Sequence, residues 1–217
     1  MSGEATAVTT RQQRLQHNSA ERRAQKKLDL RQSMLSAATA LFERDGFEGF
    51  SLRQVAEAIG YSPTSIYLYF RDKEDLLHHV ALEGFRSFGQ DLQQAADLPG
   101  SAQERLNAIG LAYLRFGLRR PLHYRLMFMV RGDWLGLPTP SGYDSVIDSF
   151  GVLERAVQLG MESGELKGGD VQVYTSFLWS NVHGLVSLHL ATPYFPAEIL
   201  EELYRQHQEV IGRSLSF

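Results

Sequence analysis

From Leu30 onward, apolar side chains recur every three or four positions, the spacing of one helix face. Leu30, Met34, Ala37, Ala38, Leu41 and Phe42 make the first such face, which stops at "RDGF", where Gly46 can take the left-handed conformation that closes a helix. Ser51 is a helix cap ahead of a short segment with Leu52, Val55, Ala56 and Ile59 inward, ending at Gly60. Ser62 is the next cap, with Pro63 in the first turn where a missing N–H is harmless. Asp72, with Asp75 three residues on, opens a long helix whose apolar line is Leu77, Ala81, Phe85, Phe88 and Leu92.

Beyond "DLPGS" the same period continues. Leu106 to Leu118 is helical, Pro121 opens the short apolar run "PLHYRLMFMV", and "GDWLGLPTPSG" is a Gly/Pro loop. Val146 to Met161 is helical up to Gly164, Val171 to Ala191 is the most apolar helix, and Ala197 to Leu215 is the last. No segment alternates with period two and no repeat is visible, so the expected fold is all-α with about nine helices.

Residues 1–26 lack this periodicity and are rich in Gln, Thr, Ser and Arg, which predicts a disordered arm. Charge sharpens that boundary. Residues 1–31 carry seven basic side chains (Arg11, Arg14, Arg22, Arg23, Lys26, Lys27, Arg31) against Glu4, Glu21 and Asp29, a net +4, while the rest of the chain carries −7. A basic arm on an acidic body suits a polyanionic partner. The absence of cysteine excludes disulfides and thiolate chemistry. No apolar run approaches the length of a membrane span, and the polar N-terminus does not resemble a secretion signal, so a cytoplasmic location is expected.

The segment "GYSPTSIYLYFRDKE" carries the most chemistry. On a helix from Pro63 to Phe70, Ile66 and Phe70 share a face, with Tyr67 at its edge, while Thr64, Ser65, Leu68 and Tyr69 face the other way without a single charge. Two helices of about eight residues joined by a glycine turn are too short to stand alone, and that arrangement is the helix-turn-helix, whose second helix enters the DNA major groove. Hydroxyls then meet phosphates and apolar groups meet thymine methyls. Tyr67 can pack its ring inward and offer its hydroxyl, Lys73 can reach the backbone, and Arg53 is suited to a bidentate pair with guanine.

Residues 35–77, "LSAATALFERDGFEGFSLRQVAEAIGYSPTSIYLYFRDKEDLL", resemble the DNA-binding domain of the TetR family of transcriptional regulators. The resemblance implies a three-helix DNA-binding domain over 27–77, followed over 78–217 by a larger helical domain for dimerisation and effector binding. By it, Ser62, Thr64, Ser65, Tyr67, Tyr69 and Lys73 fall where family members contact phosphates or bases, and Arg53 where some read a base. Leu68 departs from the polar or aromatic residue often found at that position. "WSNVHGLVSL", with Trp179, His183 and Gly184, and "YRLMF" are similar to a Trp-x-x-x-His-Gly subgroup of the family's C-terminal domains.

The implied function is a repressor released from a near-palindromic operator by a small apolar effector. The aromatic set Tyr113, Phe116, Phe128, Trp134, Phe150, Phe177 and Trp179 can line a cavity or fill the core. The expected pocket lies among Phe88, Tyr113, Phe116, Phe128 and Trp179, with His183 as polar anchor. The last two helices are expected to pair with their symmetry mates as a homodimer, with Val186 in the interface and Gly184 and Ser187 permitting close approach either there or to a helix of the same chain. The rival class is a helical-bundle enzyme or small-molecule carrier using residues 107 to 190. The histidine spacings suit no metal: His78 and His79 diverge by about 100° on a helix, and His183 and His189 lie on different faces. No cofactor or catalytic residue is expected.

Overall fold

The computed structural model describes the backbone of residues 3–130 and 149–215, and the side chains of 17–46, 49–129 and 149–213. Trp134, the "GDWLGLPTPSG" loop and residues 146–148 lie outside the described residues. Among those described there are nine α-helices, one π-helical turn and no strand. The chain divides into two compact units, Met1–His79 and Val80–Phe217.

The first unit contains α1 (Gly3–Gly49), α2 (Leu52–Ala58), α3 (Pro63–Tyr67) and the opening of α4 (Lys73–Ala96). Its core is built from the periodic positions: Met34, Leu35, Ala38, Leu52, Val55, Ala56, Ile66, Phe70, Leu76 and Leu77 are all buried. Gly46, at φ 71°, breaks α1 where the sequence predicts a stop. Ser51 and Gln54 form a reciprocal capping box at the start of α2. At its end Gly60 has φ 72°, Tyr61 N donates to Ala56 O at 2.9 Å and Gly60 N to Glu57 O at 3.2 Å, a Schellman closure.

Three expectations need correction here. The arm is helical from Gly3, not disordered. Ala, Gln, Arg, Lys and Glu are good helix formers, and a helix already nucleated by the packed turn at Met34 extends without a second nucleation step. The pairs His17–Glu21 (3.1 Å) and Gln25–Asp29 (2.7 Å) support it along one side. Second, α3 ends at Tyr67 rather than Phe70. Third, Ser62 holds the N-cap position without a side-chain cap, because its hydroxyl is 2.9 Å from that of Ser65.

The second unit is organised around α5 (Ala102–Arg119), which packs against α7 (Ser149–Glu162), α8 (Val171–Ala191) and α9 (Ala197–Leu215). Helix α6 (Pro121–Arg125) runs into the π-helical turn Leu126–Val130. Two glycines on α5 permit these approaches. A Cβ on Gly117 would overlap Val186 of α8, and one on Gly110 would overlap the Tyr204 hydroxyl of α9. Val186 is therefore fully buried inside the unit, not on an interface as expected. Among the described residues nothing lies within 4 Å of where a Gly184 Cβ would be, so it mediates no helix approach among them.

Candidate functional site

The helix-turn-helix face is exposed where an ordinary surface would carry charge. Thr64 is exposed, Ser65 half-buried, Leu68 79% exposed and Tyr67 60% exposed. The Tyr67 ring thus stands in solvent and not against the core, because Ile66 and Phe70 already fill the space beneath α3. It borders a shallow groove shared with Arg53, Arg71 and Lys73, which brings three of the sequence-predicted contacts to one concavity. Arg53 is exposed and its Nε donates to Glu57 Oε1 at 2.9 Å. The Lys73 ammonium lies 5.5 Å from the Phe50 ring, and Tyr69 is half-buried with Lys27 Nζ 6.0 Å from its ring centroid. Lys27 is the residue that motif reading missed: it belongs to α1, and only the tertiary fold brings it to Tyr69.

Beneath this face, Arg31 donates to His79 Nδ1 at 2.7 Å and lies 5.7 Å from the Phe70 ring. His79 is thus engaged with a cation. Among the described residues no group of three or more His, Cys, Asp or Glu could hold a metal ion.

The second unit contains a narrow cavity in which about 30 Å³ is open to the centre of a water molecule, within a crevice of about 490 Å³ once all space between atoms and at its mouth is counted. Of the expected pocket residues, Phe88, Tyr113 and Trp179 line it; Phe116, Phe128 and His183 do not. Phe116 is fully buried behind Phe88, 5.0 Å between centroids, and Phe128 packs between Phe88, Tyr113 and Tyr124. Phe150 lines the cavity against Trp179, while Phe177 is 52% exposed and belongs to neither cavity nor core.

His183 is already committed. Its Nδ1 is 2.8 Å from the Tyr113 hydroxyl and 2.6 Å from that of Tyr124, and the two hydroxyls are 3.2 Å apart. One lone pair on Nδ1 accepts one hydroxyl proton and the other tyrosine can donate to its neighbour, so the trio satisfies itself. Burial holds the imidazole below its ordinary pKa and therefore neutral, and burial pushes the Tyr124 hydroxyl up to about 12 and the Tyr113 hydroxyl well above its usual value. The trio is the inner wall of the aromatic cluster.

Sequence reading also missed Tyr204 and Gln208, which line the cavity from α9. The signal was present: both lie on the same face as Leu200 and Ile211, polar residues at positions where the amphipathic period expects core.

A short-helix pair with an uncharged exposed face, joined in one chain to a larger helical unit, is the arrangement of a helix-turn-helix DNA-binding protein. Residues 34–80 match the family model described as "Bacterial regulatory proteins, tetR family", and residues 106–210 the one described as "Tetracyclin repressor-like, C-terminal domain". The chain belongs to the TetR family of bacterial transcriptional regulators, and the enzymatic reading of residues 107 to 190 falls with that membership. It is 29% identical over 82 residues to the probable HTH-type transcriptional regulator YttP of Bacillus subtilis, covering 37% of this chain and 40% of that protein. The matches to the first curated relatives thus span about two fifths of those relatives' length. A longer match, 20% over 156 residues, covers 71% of this chain and 80% of the fatty acid metabolism regulator protein of Bacillus subtilis. Among solved structures, a protein of unknown function from Rhodococcus sp. RHA1 is 26% identical with a TM-score of 0.72, covering 87% of this chain and 96% of that one.

Proposed function

We propose that this protein is a homodimeric transcriptional repressor that reads a near-palindromic DNA operator and leaves it when a small apolar molecule occupies the cavity of each helical body. The observation that carries the reading is the exposed, uncharged face of α3. Tyr67, the last residue of this short helix, and Leu68, its C-cap, are large side chains held in solvent, and Tyr67 shares a groove with Arg53 and Lys73. A groove offering thymine methyls and phosphates is the partner that rewards such a face.

In this reading Ser62, Thr64, Ser65, Tyr67 and Tyr69 position α3 through hydroxyl contacts to phosphates, with Lys73 as the charged contact and Arg53 as the base reader. The effector half rests on the cavity. Phe88 and Leu92 line it and belong to α4, whose first residue is Lys73. A shift at Phe88 is carried toward Lys73 along a helix that rises about 1.5 Å per residue. To act as inducer the ligand must favour the non-binding state by roughly 1–3 kcal/mol. A relative matched over 80% of its length is named a fatty acid metabolism regulator protein, which supports an apolar effector here.

Selection of bound duplexes from a random pool tests the reading. Enrichment of a near-palindrome, lost when Thr64 and Tyr69 are replaced by Ala and Phe, is the expected result. Retention of no duplex above a scrambled control would overturn it.

A further inference from the structure

The cavity has a polar end that the Tyr113, Tyr124 and His183 trio does not use. Tyr204 and Gln208 lie one turn apart on α9, are 3% and 7% exposed, and both line the cavity. The Tyr204 hydroxyl rests against Gly110, itself part of the wall, where only a residue without a Cβ leaves it room. Neither the phenol nor the amide makes a side-chain hydrogen bond to another described residue, both also border an outer groove with Arg205, Glu209 and Arg213, and burial raises the phenol's pKa. Buried donors and acceptors are ordinarily paired, and one left open on a cavity wall marks where a ligand's polar atom belongs.

The rest of the described wall decides what kind of atom. Phe88, Leu92, Leu106, Ile109, Phe150 and Leu178 are apolar, Ser149 adds one hydroxyl, and no described lining residue is charged. A carboxylate or an ammonium entering this space would lose its hydration without gaining a counter-charge, whereas a hydroxyl or carbonyl exchanges one water for a protein hydrogen bond.

We infer that the effector is an uncharged apolar molecule carrying one hydroxyl or carbonyl group, and that Tyr204 and Gln208 hold that group. The phenol donates to the ligand oxygen, and the Gln208 amide donates to the same oxygen or accepts from a ligand hydroxyl. This rests on the cavity being the effector site. It also places the specificity contact on α9, whose other side carries the exposed Ile199 and Val210, so the ligand's polar group and the proposed association face share one helix.

Calorimetric titration of the full chain with decanol, methyl decanoate and decanoate at about pH 8, where the acid is ionised, tests it. Decanol and the ester should bind, with decanoate weaker by at least about ten-fold. Tyr204→Phe and Gln208→Leu, checked for unchanged melting, should each weaken decanol by roughly ten-fold. Decanoate binding as tightly as decanol, no binding by either neutral probe, or decanol affinity unchanged in both variants would overturn the assignment. Leu153→Trp, which fills the cavity from its half-buried wall position, separates this from the reading beneath it. Decanol binding that persists in Leu153→Trp sinks the cavity as effector site. Loss there, with Tyr204→Phe and Gln208→Leu unaffected, sinks the polar end alone.

Discussion

Arg53 and Lys73 border one groove, yet their chemistry assigns them different work. A guanidinium matches the two acceptors of guanine, whereas an ammonium is a point charge suited to phosphate. Arg53→Ala is expected to weaken operator binding by about 1–3 kcal/mol and to relax preference at one base position. Lys73→Ala should weaken all sequences alike and lower the salt slope by about one. Binding measured across single-base operator variants at several salt concentrations checks both, and a base-specific loss from Lys73 would reverse the roles. The histidines give a second prediction at this scale. His78, His123 and His183 are all held below the ordinary value of 6.5, chiefly by burial. Below that pH the unfolded chain takes up protons that the folded chain resists, so the associated stability is complete above about 6.5 and is lost progressively as pH falls below it. The melting temperature should decline across that window, before the carboxylates Asp75, Glu104 and Glu165, whose pKa values are lowered, begin to protonate. His123→Gln should shallow the decline, and a melting temperature flat from pH 8 to about 5.5 would contradict the argument. Individual side chains were the least legible feature of the sequence. Position on a helical wheel placed Thr64 and Leu68 outward, but could not tell that Ile66 and Phe70 leave no room for Tyr67, nor that the Tyr113 and Tyr124 hydroxyls already occupy His183.

At the scale of elements, periodicity worked where a helix has one buried face. The bounds of α8 and α9 coincide with those read from the sequence, since Asp170 caps α8 through Gln172 N and Val173 N and Thr192 ends it. The pattern understated α5, whose first turn is fixed by the Ser101 and Glu104 capping box and not by an apolar residue. It missed the arm altogether, because a helix with every residue from 17 to 29 exposed has no apolar face to detect. Such a helix is marginal without a partner, and Arg22, Arg23, Lys26 and Lys27 give it a polyanion's complement beside Tyr69. Deleting residues 1–26 should leave the melting temperature unchanged, because the core begins at Met34. Operator affinity should fall, and by more at low salt than at high salt, as expected for lost phosphate contacts. An unchanged dissociation constant at low salt would reduce the arm to a passive tail.

The whole molecule poses the question of what covers its exposed apolar stripes. On α8, Val173, Phe177, Gly184 and Leu188 follow one another at intervals of four, seven and four residues, the spacing of a single face, and Val173, Phe177 and Leu188 are 60%, 52% and 42% exposed. On α9, Ile199 and Val210 are 45% and 67% exposed on a common side. An exposed apolar face on α8, with further exposed apolar side chains on the adjacent α9, is unusual for a monomer. A second copy is the partner that suits it, since two-fold pairing gives the two reading heads that a near-palindrome requires. Gly184, with no described neighbour where its Cβ would be, then leaves room for the approach of the partner's helix. Phe177→Glu with Leu188→Glu should therefore give a folded monomer of unchanged helical content whose operator affinity collapses, because each half-site is then bound alone. Val186→Glu is the contrasting variant. Its side chain is fully buried against Gly117, so a charge there should unfold the body instead of dissociating it. Sedimentation at micromolar concentration together with circular dichroism distinguishes the three proteins. A monomeric wild type, or a Phe177→Glu, Leu188→Glu protein that still sediments as a dimer, would move the association face away from α8 and α9.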